Sequence, residues 1–222
     1  MIMLIVPLVF LTLISDYPKT DSSLFFSISR VGRVNWVLSQ IVLMIMMIMT
    51  YLIMLFTASV LPCISDGYAG SEWSDTATKY ITFFPDRSLD FVAGLLPENL
   101  YNQVTVFRAA LEGYLLIALY LFILGMLMLN ACLFKIKVIG IVISGGIVSI
   151  GAGLCAIGSD AMWFLPMAHS IIWTHYTRYF KVPVKSMGAS WAYLGTLSVI
   201  LIITAIIKIR NYNYDTTLTI DN

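Results

Sequence analysis

Charge is scarce in this chain: 11% of its 222 residues are Asp, Glu, Lys or Arg, where a soluble domain carries roughly 25%. With 59% hydrophobic residues and a mean hydropathy of +0.89, too little polar surface remains to cover a core, which excludes a water-exposed fold. The net charge is +1, and the thirteen Lys and Arg lie scattered between apolar blocks. A nucleic-acid partner needs a clustered basic face, so that class is set aside. Cysteine is equally sparse. Cys63, Cys132 and Cys155 make no Cys-x-x-Cys pair, and the last two lie in apolar blocks, where a thiol behaves as a small hydrophobe. Neither a disulfide framework nor a metal site follows from them.

Several motifs are missing as well. There is no Gly-Lys dipeptide and hence no phosphate-binding P-loop, no His-Glu-x-x-His and no Gly-x-Ser-x-Gly, so ATP binding by that loop and two common hydrolase chemistries are excluded. No Asn-x-Ser/Thr sequon occurs, which fits a bacterial inner membrane better than a glycosylated cell surface. His169 and His175, the two histidines, are six residues apart. On a continuous helix that spacing puts them on opposite sides, whereas a helical metal pair needs three or four.

The chain does have long apolar blocks, close to the roughly 20 residues that cross a bilayer. They predict an all-α integral membrane protein with about five transmembrane helices, at 1–15, 36–61, 109–134, 138–157 and 190–207. The first block lacks the basic start and small-residue cleavage site of a signal peptide and reads as a span. Between the first two, residues 23–35 put Leu24, Phe25, Phe26, Ile28 and Val31 on an apolar side beside Arg30 and Arg33, the pattern of a surface helix. Pro62 ends the second block and opens an external loop, 62–108, too aromatic for a disordered linker and too small for an independent domain. The third and fourth blocks are separated by the basic link Phe134-Lys135-Ile136-Lys137, which makes them an antiparallel hairpin. The stretch 160–188 is apolar in its first half but broken by Pro166, which suits an external re-entrant segment.

The positive-inside rule sets the orientation. With the C-terminus cytoplasmic, Lys19, Arg30, Arg33, Lys135, Lys137, Lys208 and Arg210 lie inside, mostly in short loops near span ends. On the other side lie Lys79, Arg87, Arg108, Arg178, Lys181 and Lys185, seven against six, but Lys79 and Arg87 sit deep in the longest loop, where the rule weighs less.

Candidate functional residues are few. Glu112 and Asp160 are the ionisable groups nearest the membrane boundary, where charge is costly and often functional. They and His169 are candidates for a gate or substrate contact, the bland alternative being that the acids simply reach the headgroups. Gly145, Ser149 and Gly153 recur at i, i+4, i+8, the spacing that lets membrane helices approach closely. The methionine run from Met44 to Met54 offers an adaptable apolar surface, and Trp36, Trp163, Trp173 and Trp191 lie near span ends, as interfacial anchors do.

The order of these parts resembles the permease subunit of type-2 ABC transporters, the family of drug, peptide and lipid exporters. In that family a short basic helix between the second and third of six spans docks on the ATPase, and the segment from Ser27 to Gln40, with Arg30, Arg33 and Trp36, looks like it. The resemblance covers nearly the whole chain but lacks the family's first span, so the chain is either a shortened member that completes its bundle with a partner or one whose native start lies upstream. It implies a second permease chain, as homo- or heterodimer, and a separate ATPase subunit that holds ATP and magnesium. This chain itself would be no enzyme and carry no cofactor. Two other classes stay open: a non-transporting accessory or immunity subunit that grips membrane partners through the Gly145, Ser149, Gly153 face, and an intramembrane enzyme using Glu112, Asp160 or His169.

Overall fold

The computed structural model describes residues 2–18, 28–64, 70, 72–87, 98–176 and 184–211. Among them every regular element is helical. The principal helices are α1 (Ile2–Leu13), α2 (Arg33–Val60), α3 (Val106–Leu133), α4 (Lys137–Ile157), α5 (Pro166–Ser170) and α6 (Met187–Arg210), with short helical pieces between them. Four of them, α2, α3, α4 and α6, are long and apolar enough to cross a membrane. At 1.5 Å per residue the shortest, α4, is about 32 Å long, close to the roughly 30 Å hydrocarbon core.

The expected first span is represented by α1, with 12 residues, or about 18 Å of helix. Its described part is too short to span by itself, and it packs against α4 and α3. The other expected spans are present, each starting one to three residues earlier than expected. α6 gains its first turn because the Ser186 hydroxyl accepts the Ala189 N–H at 3.3 Å, and it ends on Lys208 and Arg210, cations that suit a helix C-terminus.

α3 is the centre of the bundle. Its most apolar stretch is 67% buried, against 22% in each of the other three long helices, because α1, α2, α4, α5 and α6 all pack on it. Tyr120, Leu121, Leu124, Met128 and Leu129 form the middle of the core with Met44 and Ile48 of α2. A Cβ on Gly125 would collide with the Met44 side chain, so that glycine is what lets α2 come close.

Three residues, Phe134 to Ile136, turn α3 into α4. The turn is closed by Lys135 in the left-handed region at φ 62°, with the Ile136 N–H returning to the Ala131 carbonyl at 2.9 Å, the bond pattern that ends many helices. The Lys208 ammonium lies 4.4 Å from the Phe134 ring centroid, and Arg33 donates to the Arg210 carbonyl at 2.5 Å. The start of α2, the end of α6 and the α3–α4 turn therefore share one end of the bundle, called here the basic end.

The surface helix expected at 23–35 falls partly outside the described residues, which resume at 28. Residues 28–31 are helical, the Gly32 N–H closes on the Ile28 carbonyl at 2.8 Å, and Gly32 then turns the chain at φ 90° before α2 starts. Within the stretch expected as an external loop, the Trp73 indole donates to the Val104 carbonyl at 2.7 Å. Leu100 and Val104 join Leu116, Ile172 and Leu194 in a second apolar cluster.

Candidate functional site

Four buried polar side chains, His169, Ser170, His175 and Ser190, lie at the end of the bundle remote from the basic turn, where the segment after α4 folds back on α3 and α6. The Ser159 hydroxyl accepts the Ala161 N–H at 3.4 Å and starts a tight turn, Asp160–Phe164. Pro166 then opens α5 at the first helical position, where its missing N–H costs nothing. A further tight turn, Ile172–His175, follows. The segment is thus three short pieces rather than one helix, and it packs on α3, α4 and α6.

This break-up overturns the spacing argument about the histidines. His169 and His175 come from different pieces and converge on Ser190 of α6: His169 Nδ1 lies 2.8 Å from Ser190 Oγ, and His175 Nε2 lies 2.7 Å from it. The outer nitrogens face backbone carbonyls, His169 Nε2 that of Trp163 at 2.9 Å and His175 Nδ1 that of Ile171 at 2.8 Å. Both histidines and Ser190 are buried, at 1%, 0% and 0% exposure. The Trp163 ring stands edge-on to the two imidazoles, with centroids 5.3 and 5.1 Å away, and Tyr193 stacks on His169 at 4.2 Å.

Burial pushes both imidazoles below the ordinary histidine range, since a dry site disfavours the charged ring. For His169 the Lys185 charge adds to that effect and the Trp163 carbonyl opposes it. For His175 the Ile171 and Ile172 carbonyls and the Glu112 charge oppose it. Among the described residues no three His, Cys, Asp or Glu side chains gather as a metal site.

The other expected site residues are dispersed. Glu112, on α3 at the same end, accepts the Arg108 Nε–H at 2.8 Å, while its second carboxylate oxygen is buried with no partner among the described residues. Asp160 is exposed at the start of the folded-back segment. His169 is held by three neighbours rather than open to a passing substrate. At the basic end Arg30 and Arg33 are exposed, but Trp36 is 6% exposed and packs in the core, so it is not surface contact area beside them.

The stripe Gly145, Ser149, Gly153 is not what packs α4 within this chain: a Cβ on Gly145 or Gly153 would meet no atom within 4 Å. The packed face is instead Gly140, Ser144, Val148 and Gly151, with Gly140 against Ala131 and Gly151 against Met167. Its spacing, i, i+4, i+8, i+11, is as helical as the other stripe's, and composition alone does not choose between the two.

An apolar cleft of about 280 Å³ lies between α1, α2, α3 and the folded-back segment, with Leu52, Leu55, Ser59, Gly113, Tyr114 and Trp173 in its wall.

Four apolar helices of spanning length, three of them packed on the buried fourth, define a multi-pass helical membrane protein. No protein-family model, curated protein or solved structure matches the chain.

Proposed function

We propose that this chain is the membrane-spanning subunit of an ATP-driven transporter of the type-2 ABC kind, working with a separate ATPase subunit and a second permease chain. The observation that carries the reading is the basic end. Arg30, Arg33, Lys135, Lys137, Lys208 and Arg210 gather there against Asp16 as the acidic residue among those described. An end that is rich in cations and close to the spans belongs on the cytoplasmic side, and it is the side on which an ATPase docks.

The apolar cleft supports a substrate with an apolar portion, of the peptide, drug or lipid class, because its wall offers mainly side-chain carbon and only Ser59, Ser170 and Tyr114 hydroxyls. ATP and magnesium belong to the partner. This chain supplies the path and the docking face, in a cell membrane with the C-terminus cytoplasmic.

The test is affinity purification of the chain from its native host in mild detergent, with mass spectrometry of its companions. A stoichiometric ATP-binding subunit supports the transporter. A clean complex with no ATPase overturns it in favour of the accessory or immunity subunit, a reading supported by the Gly145, Ser149, Gly153 stripe, which faces away from its own bundle with the spacing a partner helix needs.

A further inference from the structure

Two ring nitrogens share one hydroxyl at the remote end, and the number of hydrogens available to them is fixed by their neighbours. A carbonyl only accepts, so the hydrogen on His169 must be on Nε2, facing Trp163, and the hydrogen on His175 must be on Nδ1, facing Ile171. With both rings neutral, His169 Nδ1 and His175 Nε2 each bring a lone pair to Ser190 Oγ. The serine has one hydrogen and can satisfy one of them. The other contact is then two lone pairs at hydrogen-bond distance in a buried site, where an unsatisfied polar group is costly.

One added proton closes the count. One ring becomes an imidazolium and donates to Oγ, the serine donates to the other ring, and all four contacts hold a hydrogen. Either ring can be the charged one, because Oγ can pass its hydrogen to the neutral ring while taking the hydrogen of the charged ring, which exchanges their roles. A second proton would place two cations on either side of one oxygen. Lys185, whose ammonium lies 5.3 Å from the Trp163 ring centroid, adds a third positive charge to the same neighbourhood.

We propose that His169, Ser190 and His175 form a binding site for a single proton, shared between the two rings through the serine hydroxyl and holding none or one but never two. The groups that face it from each packed element are Glu112 on α3, already paired with Arg108, Lys185 before α6, Tyr193 on α6 and Tyr176 after the last turn. Glu112 is the one acid whose charge favours proton uptake at His175. The proton would sit where the folded-back segment docks on α6.

The chain contains two histidines, so ring-15N-histidine NMR of the full-length protein in lipid nanodiscs reads this site alone. Between about pH 8 and about pH 4, a window spanning the ordinary histidine range, the two rings should together take up one proton. The neutral state should show the hydrogen on Nε2 of His169 and on Nδ1 of His175. Independent uptake of two protons, the opposite tautomers, or no uptake would each overturn the proposal. Ser190→Ala removes the shared oxygen and should lower the affinity for the first proton about tenfold or more, the scale of one lost hydrogen bond to a charged group. An unchanged affinity in a folded Ser190→Ala protein would likewise count against it.

Discussion

Asn130 on α3 and Thr204 on α6 meet inside the bundle, the threonine hydroxyl donating to the Asn130 side-chain carbonyl at 3.2 Å. The Asn130 amide donates in turn to the Met126 carbonyl at 2.9 Å and, across to α6, to the Leu201 carbonyl at 3.0 Å. Hydrogen bonds between membrane helices average about 0.6 kcal/mol and reach about 1.7. Asn130→Ala, which removes both contacts to α6, should cost about 1 kcal/mol, and Thr204→Val about half of that. Equilibrium unfolding in mixed detergent checks both values, and the double variant should fall short of their sum because the two residues share one network.

Glycines on opposite faces of α4 should respond in opposite ways. Gly140→Ala puts a methyl into the Ala131 side chain, two rigid helices with no flexible atom to give way, and should destabilise by about 1–3 kcal/mol, the usual cost of overpacking. Gly145→Ala meets open space and should leave the isolated chain as stable as before. If Gly145→Leu then abolishes a complex that the native chain forms, the outward stripe is a partner face. Thermal melts and size-exclusion profiles separate these outcomes.

Stability should fall as the medium is acidified below the ordinary histidine value of about 6.5. Burial holds both imidazoles below that value in the folded protein, so the unfolded chain binds protons first and the contribution is fully present only above it. If the unfolded chain takes up one proton more than the folded one, the slope is about 1.4 kcal/mol per pH unit. Melting temperatures between about pH 7.5 and about pH 5 should show the decline, and the double variant His169→Gln, His175→Gln should flatten it.

Charge reversal at the basic end should separate docking from folding. Arg30 and Arg33 are exposed, so Arg30→Glu with Arg33→Glu should leave the melting temperature within a few degrees while abolishing co-purification of an ATPase. Retained association in the double variant would remove the docking role of that end. A fluorescent reporter fused to the C-terminus should fold and emit from the cytoplasmic side; a dark fusion would invert the orientation.

The long helices were legible because hydropathy over roughly 20 residues is a physical requirement of the bilayer, and α2, α3, α4 and α6 each meet it. The ends were less legible. Arg33 belongs to α2 although it reads as part of a separate surface helix at 23–35, since a long cationic side chain can reach water from within a helical turn. Trp36 reads as an interfacial anchor from its place near a span end, yet lies buried, because only packing decides which face of α2 meets α3. The histidine site was hidden for a different reason. Spacing rules presume one helix between His169 and His175, whereas α5 ends at Ser170, Ile171 is extended and a tight turn starts at Ile172, and Ser190 arrives from a separate helix. The one sign in the sequence was Pro166 itself, the residue that marked the segment as broken.

Gly32 has the φ of 90° that only a residue without a side chain adopts readily, and a Cβ there would meet nothing within 4 Å. It closes the helical turn before it and begins the helix after it, with the Trp36 N–H on its carbonyl at 3.0 Å. Arg30 and Arg33 therefore stand on either side of a swivel rather than along one stiff lever. A push delivered at Arg30 would rotate the joint before it tilted α2, whereas the same push at Arg33 would reach the buried Trp36 through less than one turn of rigid helix.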